Sequence, residues 1–389
     1  MPPISVLVLD AAQRSALAVT RSLGRLPNVT VVTAERAGFN LAGASRYSSE
    51  SLLYPCPETQ PQQFIDWLRQ LLQVRTFNWV FPVTEVTSQL LLMHQAHIAN
   101  LHLPFAPLET VMAMADKGQL TQRAQQLGVP VPGSVWHANS ASLVPAQLAY
   151  PVVIKPCLSK IYVQDRWLST SVFVAQDASS LARELALRPY LAEHPFMVQE
   201  FIPGTGAGVF ALYNQGHAVA FFAHQRLREK PPEGGISVLS ESAAVTPSLE
   251  GYARTLLDAV RWHGVAMVEF RQTPSGEYYL MEVNTRFWGS LQLAIDAGVD
   301  FPALLLRACS GESLPAQPAY KIGQRLRWFL GDLDSLYIYL KRPYSLKQKL
   351  SRVAAFFTPR FGALRYEVNR WGDLAPAWQE LKHYFKKNH

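Results

Sequence analysis

The chain has 389 residues, 49% of them hydrophobic and 17% charged, which is enough to build the cores of two or three domains. Its three cysteines are widely spaced and indicate neither a disulfide framework nor a cysteine-based metal cluster. The first residues do not resemble a secretory leader, and no apolar run reaches about 18 residues. The sequence therefore predicts a cytoplasmic protein that does not span a membrane.

The net charge of +7 is concentrated at the carboxyl end. Residues 320–389 contain 14 Lys or Arg against 5 Asp or Glu, and aromatic side chains are interspersed among them. We expect most of this segment to form helices packed on the core. Basic residues mixed with aromatic ones also suit a membrane surface, so peripheral contact with a membrane or a glycan precursor is a second expectation. No nucleic-acid partner is predicted.

The amino-terminal residues alternate between apolar runs and helical patterns, which predicts an α/β domain. The predicted elements are a strand at 4–9, a helix at 15–26, a strand at 29–33, a helix at 62–73, a strand at 79–82 and a helix at 88–99. The opening is Rossmann-like, but residues 10–15 contain no glycine, which excludes a dinucleotide-binding fingerprint there. Thr84 and Glu85 follow a strand's carboxyl end, where such sheets place ligand contacts, although a plain helix N-terminus fits them equally well.

The middle of the chain alternates again, with lysines at two element boundaries. The predicted elements are helices at 108–115 and 118–127, a strand ending at Lys155, a strand at 171–175, a helix at 177–191, a strand at 196–202, a hairpin at 209–223, a loop at 226–241, a helix at 248–262 and a helical stretch at 290–309. Lys117 lies between the first two helices. A lysine directly after Val-Val-Ile, as at position 155, is unusual for a buried strand.

The segment 264–289 carries the densest chemistry. Strands at 265–272 and 277–284 flank Pro-Ser-Gly turn residues, which predicts a hairpin. Side chains two apart share a face of a strand, so Glu282 and Asn284 are neighbours. A four-residue loop pairs position 269 with 280 and places Glu269 on that face, whereas a one-residue slip sends it to the other face. Two carboxylates and an amide oxygen suit Mg²⁺, while ordinary surface acids remain the alternative that spacing leaves open.

Four motifs occur in a fixed order along the chain. They are the lysine at 117, Val-Ile-Lys-Pro at 153–156, Val-Gln-Glu-Phe-Ile-Pro-Gly at 198–204, and Met-Val-Glu-Phe followed by Met-Glu-Val-Asn-Thr-Arg within 267–286. Together they resemble the ATP-grasp superfamily, and most of all the stand-alone carboxylate–amine ligases of its carbamoyl-phosphate-synthase-like branch. The likeness covers about residues 110–310.

The resemblance implies an α/β fold class with three parts. They are a Rossmann-like pre-ATP-grasp domain at 1–112, an ATP-grasp domain of two subdomains sandwiching ATP at 113–312, with an α+β lid at about 133–203, and a helical C-terminal extension at 313–389. The implied activity is an ATP-dependent ligase that activates a carboxylate as an acylphosphate and joins it to an amine. Both substrates would be small molecules, and the protein would be a monomer or a homodimer.

The resemblance also implies roles for individual residues. The nucleotide-binding residues would be Lys117, Lys155, Gln199, Glu200, Phe201 and Ile202, and the ligands of Mg²⁺ or Mn²⁺ would be Glu269, Glu282 and Asn284. Arg286 and Lys155 would be catalytic, because cationic side chains stabilise the charge that moves with the phosphoryl group. We predict substrate contacts at Arg226, Arg228, Glu241, Thr84 and Glu85; extended backbone would put the two arginines on one face.

This sequence departs from the family pattern in the predicted lid. Residues 157–169 contain no glycine, where relatives carry a glycine-rich loop over the phosphates, and no acid beyond Glu200 is placed for a ribose contact. The side chains of Ser159, Lys160, Arg166 and Ser169 are the candidates to replace that loop. The departure keeps a non-catalytic ATP-binding regulatory protein open as an alternative, beside a carboxylase or carbamoyl-phosphate-type enzyme.

Overall fold

The computed structural model describes residues 3–314, 319–358 and 363–387. An open parallel sheet of four strands, in the order β3-β2-β1-β4, forms the amino-terminal part. Its elements are β1 (Ile4–Val8), α1 (Arg14–Leu23), β2 (Val29–Arg36), β3 (Glu50–Tyr54), α2 (Pro61–Val74), β4 (Trp79–Phe81) and α3 (Glu85–His94). The predicted alternation is confirmed, except that β3 was not foreseen because its sequence, Glu-Ser-Leu-Leu-Tyr, is a short mixed run on a half-exposed edge.

Two helices lead from this sheet into a second one. They are α4 (Leu108–Ala115) and α5 (Lys117–Gln126), and the second sheet has the strand order β5-β10-β6-β9. The elements of this part of the chain are β5 (Ser134–His137), β6 (Val152–Pro156), β7 (Lys160–Val163), β8 (Arg166–Ser169), β9 (Phe173–Ala175), α6 (Ala178–Ala186) and β10 (Phe196–Glu200). Strands β7 and β8 form a separate hairpin. The helix predicted at 177–191 ends early, because Pro189 begins a separate 3₁₀ turn.

The largest sheet has seven strands in the order β15-β14-β11-β12-β13-β16-β17. Its elements are β11 (Thr205–Asn214), β12 (His217–Lys230), β13 (Ile236–Ala243), α7 (Pro247–Asp258), β14 (Gly264–Gln272), β15 (Tyr278–Asn284), α8 (Leu291–Ala297), α9 (Phe301–Cys309), β16 (Arg325–Arg327), α10 (Phe329–Lys341), α11 (Leu346–Phe357), β17 (Leu364–Tyr366) and α12 (Ala375–Lys387). The mixed α/β fold class is confirmed. The domain boundaries at 112 and 312 stay predictions.

The loop predicted at 226–241 is wrong, because β12 and β13 continue through most of it as a hairpin. The sequence at 226–230, Arg-Leu-Arg-Glu-Lys, lacks the apolar run that predicts a strand. Ion pairs with residues distant in the chain stabilise the strand instead. Arg228 and Lys230 pair with Asp332 and Asp334 of α10, which covers this part of the sheet. The segment 290–309 is likewise two helices, divided at Gly298, whose φ of 115° ends α8 in the left-handed region.

The register of the β14–β15 hairpin differs from the predicted one in two places. The loop is one residue longer than expected, so Gln272 pairs with Tyr278, and a bulge between Glu269 and Phe270 adds a second one-residue shift. Because each shift reverses the facing of every side chain beyond it, the two cancel. Glu269 therefore still lies on the predicted face, directly opposite Glu282 instead of diagonal to it.

The carboxyl-terminal segment is helical, as predicted, but it also contributes two three-residue strands to the seven-stranded sheet, called the central sheet below. Several of its basic and aromatic residues are used internally: the Arg327 guanidinium lies 4.1 Å from the Phe356 ring centre, and Trp328 Nε1 donates to Glu380 over 2.7 Å. Contact with a membrane or a glycan precursor stays a prediction. Across the described ranges, no helix combines the length and the apolar character needed to cross a bilayer.

Arg21 of α1 ties the carboxyl-terminal segment to the first sheet. Its side chain is 2% exposed. Nε donates to the Asp373 carboxylate over 2.8 Å, and Nη1 and Nη2 donate to the Glu367 and Val368 carbonyls over 2.8 and 2.9 Å. Removing one partner of a buried ion pair leaves the other charge uncompensated. Asp373 therefore depends on Arg21, even though it also accepts from Ser45 Oγ over 2.7 Å.

We predict that Arg21→Ala lowers the free energy of unfolding by about 3–5 kcal/mol, the range for breaking a buried pair. Arg75→Ala is the control, because Arg75 forms a half-exposed pair with Glu50 and its loss costs below about 1 kcal/mol. Thermal and urea unfolding of the two variants measure the difference. Equal losses of stability in the two variants would contradict the stabilising role assigned to the Arg21–Asp373 pair.

Candidate active site

Two carboxylates and an amide converge on one face of the β14–β15 hairpin. The Asn284 Nδ2 lies 2.9 Å from Glu269 Oε1 and 3.3 Å from Glu282 Oε1. Burial and the charge of Glu282 raise the pKa of Glu269. Burial opposes ionisation of Glu282 as well, but the charges of Lys117 and Lys155 outweigh it and lower the pKa of that carboxyl. Cations that come from other parts of the chain therefore favour the ionised form of Glu282.

Lys117 and Lys155 reach the carboxylates from two different elements. Asp116 caps α5 by accepting from Gly118 N and Gln119 N, which fixes Lys117 at the first position of the helix. Lys117 Nζ lies 3.5 Å from Glu282 Oε2, and Lys155 Nζ lies 3.5 Å from the Met281 Sδ next to it. Burial lowers the pKa of Lys155 to about 8. The two predicted phosphate-binding lysines therefore lie beside the predicted metal ligands.

Arg226 supplies a third cation to the same cluster. Its Nη2 donates to Glu269 Oε2 over 3.0 Å, and its Nη1 lies 3.3 Å from Glu229 Oε1. Arg286 lines the same cleft, and its Nη1 donates to its neighbour's backbone, the Phe287 carbonyl oxygen, over 2.9 Å. A cavity of about 320 Å³ is lined by both arginines together with Glu269, Glu282 and Asn284.

A small adjoining cavity adds Glu85 and Ser159 to the residues at the carboxylate cluster. Its lining includes Glu85, Lys117, Ser159, Glu282, Asn284 and Arg286. Ser159 Oγ accepts from Lys117 Nζ over 2.9 Å, so a side chain of the predicted lid reaches the lysine directly. Thr84 caps α3, with its Oγ1 accepting from Thr87 N, and Glu85 follows in the first turn. The first sheet and the lid thus both border the carboxylate cluster.

The glycine-free lid folds as a hairpin of its own. Gln164 and Asp165 adopt φ values of 49° and 59° at its tip, the left-handed conformation that a tight two-residue turn requires. Lys160 Nζ donates to Ser169 Oγ and to Glu58 Oε1, each over 2.8 Å, which joins the hairpin to the first domain. Of the four lid side chains named from the sequence, Arg166 and Ser169 are exposed, and Ser159 and Lys160 are partly buried.

The predicted adenine-flanking strand lies at the side of this cluster, in the second sheet. Gln199 is buried and donates from Nε2 to Ser134 Oγ over 2.9 Å, whereas Glu200 is exposed. Phe201 lies beneath the Arg271 guanidinium, whose carbon is 5.9 Å from the ring centre, and Ile202 is buried. Their roles toward the base stay predictions.

Two of the predicted substrate residues do not reach the cluster. A bulge at Leu227 makes Arg226 pair with Ser240 and Arg228 with Leu239, so the two arginines lie on opposite faces of the sheet. The prediction that they share a face is therefore wrong, and the Arg228 side chain is bound to Asp332 instead. Glu241 is occupied by an ion pair with Arg325.

The sequence did not reveal a larger cavity of about 460 Å³ at the carboxyl ends of β1, β2 and β4. Its polar lining includes Asp10, Arg14, Glu35, Arg36, Tyr54, Thr84, Glu85, Lys160 and Arg286. Asp10 Oδ2 accepts from Val83 N over 3.0 Å, Thr84 N over 2.9 Å and Thr87 Oγ1 over 2.5 Å, so it positions the loop before α3. The position of Asp10 just past a strand end was the available signal, because such sheets bind ligands there.

The converging oxygen atoms fit a hard divalent cation. Among the described residues, no group of three His, Cys, Asp or Glu forms a metal cluster, so the protein supplies only two carboxylates and one amide. Mg²⁺ is commonly held by one or two carboxylates and completes its shell with phosphate oxygens and water. The oxygen and nitrogen atoms of the Asn284 amide are assigned from their hydrogen-bond partners. Rotating the amide by half a turn places Oδ1, in place of Nδ2, beside the two carboxylates.

The second sheet and the largest sheet place lysines beside a carboxylate pair, the arrangement that the resemblance to the ATP-grasp superfamily implies. Residues 192–331 match the family model described as "ATP-grasp in the biosynthetic pathway with Ter operon". The resemblance found in the sequence is thereby confirmed. Comparison with curated proteins gives no match.

Solved structures share the architecture over most of the chain. An L-amino acid ligase from Bacillus licheniformis is 20% identical with a TM-score of 0.62, covering 80% of this chain and 77% of that one. A biotin carboxylase from Campylobacter jejuni is 16% identical with a TM-score of 0.63, covering 82% and 74%. An N5-carboxyaminoimidazole synthetase from Staphylococcus aureus, complexed with ADP, is 12% identical with a TM-score of 0.62, covering 83% and 81%. Identities this low establish the fold alone.

Cys56 in the larger cavity differs from the other two thiols. Burial opposes its ionisation, but hydrogen bonds from Thr59 and from Arg36, whose Nη1 lies 3.4 Å from Sγ, lower its pKa. Burial raises the pKa of Cys157 to about 11 and that of Cys309 to about 12. Alkylating reagents attack the thiolate, so the three cysteines differ in reactivity.

We predict that iodoacetamide modifies Cys56 first, with a rate–pH midpoint below the usual thiol value of about 8.5. Arg36→Gln removes one group that favours the thiolate, so its midpoint moves to higher pH. Mass spectrometry of timed samples follows each site, with Cys157 and Cys309 as internal controls. An unchanged midpoint in the variant would contradict the assigned interaction.

Proposed function

We propose that this protein is an ATP-dependent carboxylate–amine ligase. The observation that carries the proposal is the convergence of Lys117, Lys155 and Arg286 on the Glu269–Glu282 pair. Such a cluster places cations where phosphate oxygens lie and acids where the accompanying metal lies. The three free thiols suit a reducing cytoplasm.

In this proposal Lys117 and Lys155 bind the nucleotide phosphates from two sides. Glu269, Glu282 and Asn284 hold Mg²⁺ or Mn²⁺, which when bound neutralises charge on the terminal phosphates. Arg286 orients the acyl group and the transferred phosphoryl group through its planar guanidinium, so that the carboxylate oxygen attacks and ADP leaves. An amine then displaces phosphate from the acylphosphate, and the products are an amide, ADP and inorganic phosphate.

The acyl and amine substrates occupy the 460 Å³ cavity in this proposal. It adjoins the cluster through Arg286 and Glu85, and it lies at the strand ends where α/β sheets bind ligands. Burial raises the pKa of Glu35, which lines it, to about 7. A carboxyl of that pKa accepts a proton near neutral pH, as an attacking ammonium group requires before it becomes a nucleophile. Thr84 is proposed to contact substrate from the same wall.

We predict that Glu282→Gln lowers ATP-dependent phosphate release at least about 100-fold, since even indirect disturbance of metal ligands costs 10–100-fold. Glu277→Gln is the matched control, because Glu277 is an exposed acid in the same hairpin and is hydrogen-bonded within its own turn, to Ser275 and Thr273. Purified protein is assayed with ATP, Mg²⁺ and a panel of carboxylates and amines. Activity that survives Glu282→Gln would overturn the metal assignment.

The same assay separates the alternatives. Phosphate release that requires bicarbonate and no amine would favour a carboxylase-type enzyme. ATP binding without phosphate release from any substrate pair would favour a non-catalytic regulatory protein. Amide product detected by mass spectrometry, in an amount equal to the phosphate released, supports the ligase.

We predict that Arg286→Lys keeps the ATP dissociation constant within about threefold but lowers kcat by about 10²–10³-fold, as loss of one positioned donor to developing charge does. Lysine keeps the positive charge and loses the two-pronged geometry. Equilibrium binding of ATP and single-turnover phosphate release measure the two quantities separately. A variant that loses ATP binding and keeps the chemical rate would assign Arg286 to nucleotide binding instead.

A further inference from the structure

A second cluster of charged residues lies behind the central sheet, on the face opposite to the carboxylate pair. Asp332 of α10 is fully buried and accepts hydrogen bonds from three arginines. Arg228 Nε and Arg327 Nε each donate to it over 2.7 Å, and Arg352 Nη2 donates over 3.1 Å. The three arginines come from β12, β16 and α11, so the cluster joins the sheet to the helices that cover it.

The charges of this cluster do not balance. The side chains of Arg228, Arg327 and Arg352 are 16%, 6% and 11% exposed, and within the described ranges Asp332 is the one carboxylate at ion-pair distance from any of them. Two positive charges are thus left without a counter-charge in a largely dry environment, where an unpaired ion is costly. Two buried donors, Arg327 Nη2 and Arg352 Nη1, also have no hydrogen-bond partner among the residues that the structure describes.

A cavity of about 560 Å³ opens onto two of these arginines, Arg228 and Arg327. Arg228 and Arg327 form one wall together with Arg325, whose charge is already matched by Glu241. The remaining lining is mainly apolar and includes Leu227, Leu239 and Phe356. The space therefore combines surplus positive charge with apolar walls, a combination that suits an oxyanion carried on an apolar body.

We propose that this cavity binds a small molecule with a carboxylate or phosphate head, held by Arg228 and Arg327, and an apolar body packed along Leu227 and Phe356. The ligand supplies the negative charge that the Asp332 cluster lacks. The site is separate from the proposed ATP site, because the bulge at Leu227 places Arg226 and Arg228 on opposite faces. It needs neither ATP nor catalysis, so it can be tested whether or not the ligase proposal holds.

Titration calorimetry with three probes tests the proposal on the full chain. Octanoate carries both features, octanamide has the same body without charge, and inorganic phosphate has charge without the body. We expect octanoate to bind at least about tenfold more tightly than octanamide, the factor that corresponds to one charge-assisted hydrogen bond. Binding of phosphate alone indicates a phosphate head, with the apolar walls serving a different part of the ligand. Equal binding of octanoate and octanamide, with none of phosphate, would overturn the proposal.

Arg228→Gln should weaken the binding of octanoate, or of phosphate if that is the probe that binds, by about tenfold or more. Arg254→Gln is the matched control, because Arg254 forms a half-exposed helix pair with Glu250 at a different place. Unchanged affinity in Arg228→Gln, or an equal loss in both variants, would contradict the assigned site.

Thermal unfolding provides a second readout that covers the case of a misfolded variant. Arg228→Gln removes one surplus charge together with the Arg228–Asp332 ion pair, but Asp332 keeps Arg327 and Arg352, so without an anion its melting temperature should fall less than that of Asp332→Asn. Asp332→Asn leaves three cations together, so its melting temperature should fall and should recover with octanoate or phosphate more than with NaCl of equal ionic strength. If Arg228→Gln destabilises as strongly as Asp332→Asn, the cluster is a purely structural one and the proposal fails.

Discussion

The structure depends on placing two carboxylates side by side. Glu269 and Glu282 are directly opposite each other across β14 and β15, where mutual repulsion and burial both disfavour charge. Neither strand supplies a cation to its neighbour. Lys117, Lys155 and Arg226 must therefore come from α5, β6 and β12, so the electrostatic requirement of one hairpin brings the lid sheet, the connecting helix and the central sheet to a common point.

The same requirement explains why the site lies between units and not within one. A buried lysine such as Lys155 is tolerated because the Glu282 charge partly offsets its loss of hydration. Nucleotide phosphates would enter a place where cations and acids already alternate, so binding them needs little rearrangement of charge. The Asp332 cluster is the contrasting case, since three cations share one acid and the charge that would balance them is not supplied by the described residues.

Much of the fold could be read from the sequence because it was encoded locally. Apolar runs and helix caps identified most of the strands and helices, and the order of the lysine and acid motifs identified the ATP-grasp fold. The prediction failed where stability comes from distant partners. The β12–β13 hairpin is rich in charge and is held by aspartates about 100 residues away along the chain, and β16 and β17 are too short to show a periodic pattern.

The sequence by itself determined which residues carry the chemistry: two acids and an amide at fixed spacing, an arginine after them, and lysines at two element ends. The tertiary structure alone decided where each of them points. Side chains along a strand point alternately to the two faces of the sheet. A loop one residue longer than predicted and a bulge cancel each other, so Glu269 lies on the predicted face. The single bulge at Leu227 is not compensated, so Arg228 points away from the site. Whether such shifts occur, and whether they cancel, depends on packing against neighbouring strands, which the local sequence does not record.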